Sequence, residues 1–82
     1  MLKNVGFEIQ LASPPEYKGL VAEIYYDGKF VSLINQERGL GLFELETPGT
    51  DLVESLVLRK VDLDGFRRAL EAACQRLSQV AP

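Results

Sequence analysis

Eighty-two residues, 46% hydrophobic and 26% charged with a net charge of −3, suit one small folded domain and exclude a disordered, collagen-like or low-complexity chain. The single cysteine, Cys74, excludes an internal disulfide and a cysteine-based zinc cluster, and the absence of histidine removes imidazole acid–base chemistry and histidine metal sites. No apolar run approaches the ~18 residues that a membrane-spanning helix needs.

Val5, Phe7, Ile9 and Leu11 alternate with smaller or polar residues, the period-two pattern of a half-buried strand, and Ser13-Pro14-Pro15 ends it. Leu20–Tyr26 and Lys29–Gln36 are β-prone runs separated by Asp27-Gly28, which predicts a two-residue type I′ hairpin. A regular register pairs Tyr26 with Lys29, Tyr25 with Phe30, Ile24 with Val31 and Glu23 with Ser32. One face of the hairpin then carries Leu20, Ala22, Ile24, Val31 and Leu33. The opposite face carries Val21, Glu23, Tyr25, Phe30, Ser32 and Ile34.

Gly39-Leu40-Gly41 reads as a turn, since no third glycine and no helix follow as a phosphate loop requires. Leu42–Glu46 predicts a further hairpin-connected strand, and Leu52–Val61, β-prone around Leu56-Val57-Leu58, predicts another. Asp62 is a good N-cap. After it Leu63, Phe66, Leu70, Ala73, Leu77 and Val80 recur at steps of three and four, with Ala69 and Cys74 widening the stripe, which predicts a helix over about 63–79. Cys74 reads as a small core residue rather than a reactive thiol.

The expected fold class is α+β: one domain over residues 1–82, a small antiparallel sheet of about four strands connected mostly as a meander, and one C-terminal helix packed on one face. A single helix covers one face of such a sheet. The face with Leu20, Ile24, Val31 and Leu33 is expected beneath it. The other would present Glu23, Tyr25, Phe30 and Ser32, with Glu8, Glu44 and Glu46 joining if their strands turn the polar side that way. Many antiparallel sheets have a solvated face, and a cross-strand aromatic pair also stabilises a hairpin; aromatics are equally enriched at interface hot spots.

Charge divides along the chain. Residues 1–58 hold nine acids and four bases, whereas residues 59–82 hold three acids and five bases. The acidic body disfavours nucleic acid and suits a basic protein surface. Arg59, Lys60, Arg67 and Arg68 form the one basic region and would matter if the partner were acidic. Carboxylates, lysines, tyrosines and one thiol in no catalytic arrangement point to a binding protein rather than an enzyme, with no metal and no cofactor expected. Met1–Val5 lacks the features of a signal peptide, which points to the cytoplasm.

The stretch Val21-Ala22-Glu23-Ile24-Tyr25-Tyr26-Asp27-Gly28-Lys29-Phe30-Val31-Ser32-Leu33-Ile34-Asn35-Gln36-Glu37-Arg38-Gly39, the segment Phe43–Gly49, and Lys60-Val61-Asp62-Leu63-Asp64 before an Arg- and Ala-rich helix resemble small immunity proteins of bacterial polymorphic toxin systems, including contact-dependent growth inhibition. The resemblance spans roughly residues 20–79 and implies a cytoplasmic, non-enzymatic protein whose partner is a cognate toxin domain, frequently a nuclease. On the residues themselves, Glu23, Tyr25, Phe30 and Ser32 are the first expected partner contacts, and Glu37, Glu44 and Glu46 the second. The alternatives are a homodimer or larger scaffold pairing its uncovered sheet faces, an accessory domain of an enzyme complex, and the antitoxin of a toxin–antitoxin pair.

Overall fold

The computed structural model describes residues 2–4, 6–50 and 52–80. Five strands, β1 (Leu2–Asn4), β2 (Phe7–Ala12), β3 (Val21–Tyr26), β4 (Lys29–Asn35) and β5 (Glu44–Glu46), form one antiparallel sheet in the order β1-β2-β3-β4-β5. Helix α1 (Leu63–Val80) packs across β1 to β4 on one side. The α+β meander with one C-terminal helix is therefore the architecture expected from the pattern.

Three local departures matter. The N-terminal strand is shorter than the alternation implied. Asn4 pairs with Phe7, and Gly6 between them has φ +84°, so the chain reverses there and adds β1 at the edge. Val5, read as part of that strand, lies outside the described residues.

The second departure is in the hairpin. Asp27 (φ 52°) and Gly28 (φ 76°) make the expected turn, and Tyr26–Lys29 and Tyr25–Phe30 pair as expected. The register then shifts: Ile24 faces Ser32, Glu23 faces Leu33 and Ala22 faces Ile34. Val31 is an extra residue on β4, a β-bulge that turns both Val31 and Ser32 toward the helix. Leu33 and Ile34 exchange faces relative to the regular register. Ile34 enters the helix-side core at 3% exposure, and Leu33 moves to the outer face.

The third is residues 52–61, which do not form a strand. A single 3-10 turn (Glu54–Leu56) leads to Val57, which bridges Phe30 in parallel, and the Leu58 amide donates to the Phe30 carbonyl at 2.9 Å. Arg59 closes this excursion. Its guanidinium donates to the Pro48 carbonyl (3.0 Å), the Gly49 carbonyl (3.0 Å) and the Glu54 carboxylate (2.6 Å). That hydrogen bond holds the Glu54 carboxyl below its ordinary range.

The core consists of Phe7, Ile9, Ala22, Ile24, Val31 and Ile34 from the sheet and Ala69, Ala73 and Leu77 from α1. The buried line of the helix runs Gly65, Ala69, Ala73, Leu77, at four-residue steps. The larger residues expected at the ends of the stripe stand outside it, Leu63 at 69% and Val80 at 42% exposure. Small residues at the contact let the helix lie close to the sheet: a Cβ on Gly65 would meet Phe7 Cε2 at 2.9 Å.

Asp62 caps the helix as its position suggests, its Oδ2 accepting from the Gly65 amide at 2.8 Å. Asp62→Ala should lower stability by about 1 kcal/mol, read as a shifted urea midpoint with unchanged slope, and Asp62→Ser should recover most of it. Equal losses for the two variants would contradict the capping role.

Candidate functional site

The sheet face opposite α1 is built from cross-strand rows. Glu8, Tyr25 and Phe30 form one, with Lys3 as the register partner of Glu8 on β1; Gln10, Glu23, Leu33 and Glu46 form the next. Tyr25 and Phe30 meet edge to face with ring centroids 5.8 Å apart at 70°. The Tyr25 hydroxyl donates to Glu23 Oε1 at 3.2 Å. Burial, then the neighbouring Glu23 charge and this hydrogen bond, raise the Tyr25 pKa above its ordinary value.

Glu8, Glu23 and Glu44 are half-buried on this face; Lys3 stands opposite Glu8 in the β1 register, and Glu23 and Glu44 have no cationic partner among the described residues. The ion pairs found there are Arg59–Glu54 and Arg67–Asp64. A carboxylate sheltered from water without a cation is poised to gain from one supplied by a partner.

The far end of the same face is closed by the chain itself. Tyr17, on the β2–β3 loop, reaches over to β5 and donates to both Glu46 oxygens at 2.7 and 2.8 Å. Asn35 Nδ2 donates to Glu46 Oε2 at 2.6 Å. Glu37 accepts from the backbone amides of Lys18 (2.9 Å) and Gly19 (3.3 Å). Val21, Leu33 and Asn35 are buried beneath this strap, at 0%, 8% and 3% exposure.

The expected contact residues thus divide. Glu23, Tyr25 and Phe30 lie together on the open part, and Glu44 lies on the same face beside Asn35. Glu37 and Glu46 are engaged in holding the strap. Ser32 is not on this face: the bulge places it on the helix side at 0% exposure, out of reach of a partner docking on the opposite surface. Gln10 belongs to the face and follows from β2 alternation once its pairing with β3 is known. The Tyr17 strap has no local signature, because it depends on a contact 29 residues away.

The hydrogen bond to Glu46, followed by burial and the charges of Glu46, Glu16 and Glu37, pushes the Tyr17 pKa up from 10.0 to about 12. The unfolded chain releases that proton near 10, so the strap's contribution is complete below pH 10 and is lost as pH rises toward 12. Tyrosinate absorbance should therefore show a late step near 12 that Tyr17→Phe removes. Amplitude lost near 10 instead of near 12 on that substitution would show the strap to be unlatched.

Other chemistry is sparse. Cys74 is half-buried, and burial raises its thiol pKa, which suits packing rather than nucleophilic reactivity. Among the described residues, no group of three or more His, Cys, Asp or Glu could hold a metal ion, and no helix is long and apolar enough to cross a membrane. An open groove of about 610 Å³ lies away from the aromatic pair, where Leu20, Leu40, Leu77 and Val80 converge. No protein-family model, no curated protein and no solved structure matches this chain.

Proposed function

We propose that the chain is an immunity protein, acting in the cytoplasm without catalysis of its own, that binds a cognate bacterial toxin domain and blocks its active site or substrate path. A nuclease is the favoured target, because a cleft that holds phosphates is basic and complements an acidic docking surface. The observation that carries this reading is the open sheet face, where Tyr25 and Phe30 are flanked by the half-buried carboxylates of Glu8 and Glu23, the latter with no cationic partner among the described residues. Aromatic anchors within a polar rim supply most of the binding energy in tight interfaces. The partner's bases would pair with the Glu23 carboxylate and speed association at low salt.

Titration calorimetry with the C-terminal domain of the protein encoded immediately upstream tests the reading. A one-to-one complex with nanomolar or tighter affinity, and loss of the domain's toxic activity within it, is the expected result. A toxic domain that this chain neither binds nor inhibits would contradict it for that pair.

Self-association is the second reading, favoured by Leu42 and Leu45, 50% and 47% exposed at and beside the short β5 edge. Sedimentation over a hundredfold concentration range separates the two: a monomer throughout removes the homodimer, and a dimer that Leu45→Glu disperses supports β5 as its interface.

A further inference from the structure

β5 is the last strand of the sheet and pairs on one side only, with Leu33, Ile34 and Asn35 of β4. Among the described residues no other backbone group bonds to Glu44, Leu45 or Glu46. The outer edge of β5 therefore turns its backbone donors and acceptors outward, as a template for a further strand. Leu42 and Leu45 beside it are 50% and 47% exposed, and residues 39–58 hold no Lys or Arg.

The side chains select what can pair there. Leu45 follows its partner Ile34 to the helix side of the sheet, while Glu44 and Glu46 lie on the outer face with Asn35 and Leu33. Neither glutamate has a cationic partner among the described residues. The donors that Glu46 accepts from, Tyr17 and Asn35, are neutral and leave its charge in place. Charged side chains guard an edge against unwanted strands, and this guard extends to a second copy. Two β5 strands paired antiparallel about Leu45 would set each Glu44 opposite the other copy's Glu46, and pairing about Glu44 would set the two Glu44 side chains together. Like charges directly opposite are destabilising. A strand carrying bases gains from the same two carboxylates.

We propose that β5 is a docking edge for an extended segment of a protein partner in which basic residues alternate with aliphatic ones. Its backbone would continue the sheet beyond β5, its bases would face Glu44 and Glu46, and its aliphatic residue would cover Leu45. The edge adjoins the open acidic face but does not depend on it, nor on the partner being a toxin.

The probe is a capped peptide of about six residues that alternates lysine and valine, titrated into the intact protein and followed by NMR. One control alternates glutamate and valine, and a second holds the same lysines and valines in two blocks. The expected result is saturable shifts centred on Glu44, Leu45 and Glu46 with the alternating lysine peptide, and none with the glutamate peptide. The block peptide, and the alternating peptide on Glu44→Lys protein, should each bind about fivefold more weakly. No saturable shift, equal binding of the block peptide, or shifts centred on Glu8, Glu23 and Tyr25 would each overturn the assignment. So would concentration-dependent shifts of the β5 amides without peptide, which would give the edge to a second copy.

Discussion

Phe7→Ala is expected to cost about 3–5 kcal/mol, the usual range for truncating a buried phenylalanine. Phe7 is 1% exposed. Its ring meets Tyr26 edge to face at 4.9 Å and Phe66 at 6.1 Å, and it lies against the backbone of α1 at Gly65. One side chain thus joins β2, β3 and the first turn of the helix. Domains of this size hold only ~5–15 kcal/mol in total, so the variant should unfold on the order of 15–30 °C lower. Gly65 provides the internal check. Gly65→Ala should destabilise the wild type, because its Cβ would lie 2.9 Å from Phe7 Cε2, and should cost less once Phe7 is Ala, when the 3.3 Å approach to Asp62 Oδ2 is the tight contact left. Additive losses in that double-mutant cycle would mean that the helix is not seated on Phe7.

Glu23→Lys together with Tyr25→Ala is expected to weaken binding of the proposed toxin partner by about 100-fold or more, since the second removes a hot-spot type of residue and the first reverses a charge. The fold should tolerate the change. Losing the Tyr25–Phe30 pair costs up to about 1 kcal/mol, and Glu23 donates nothing to the core. Association should slow more steeply for the wild type than for the variant as salt is raised. Arg68→Glu, on the exposed side of α1, is the control and should leave affinity unchanged. If Arg68→Glu weakened binding and the outer-face variant did not, the partner would be acidic and would dock on the basic helix side.

The parts of this fold legible in the sequence are those set by neighbours along the chain. Asp27-Gly28 specifies its turn because both residues must adopt positive φ. Asp62 and the apolar period after it specify α1 within a residue or so. What the sequence does not reveal depends on choices between near-equivalent arrangements. Leu33 and Ile34 are adjacent apolar residues, so the hairpin has one to bury beneath the helix in either register, and hydrophobic pattern alone cannot detect the bulge. That single inserted residue moves Ser32 from the docking face to the interior while leaving Tyr25 and Phe30 paired outside.

The helix stripe has a similar ambiguity. Leu63 and Val80 fit the period, yet the line of Gly65, Ala69 and Ala73 wins the contact because it permits the closest approach to the sheet. Residues 52–61 carry strand-like composition, but among the described residues their backbone pairs with β4 only at Phe30. Arg59 secures them with carbonyls of its own loop instead of a ladder. The acidic and aromatic character of the outer face was visible in composition and spacing; the closing of its lower part by Tyr17, and the conversion of Glu37 and Glu46 from free charges into ties, was not.

The most direct test of the proposed role is bacterial growth during expression of the upstream-encoded C-terminal domain, with either the wild-type chain or the folded Glu23→Lys/Tyr25→Ala variant supplied alongside. Growth restored by the wild type and not by the variant is the expected result, and it would join neutralisation to the open sheet face. Equal rescue by both would contradict that surface assignment, and rescue by neither, with both proteins soluble and the domain toxic, would contradict the antidote role itself.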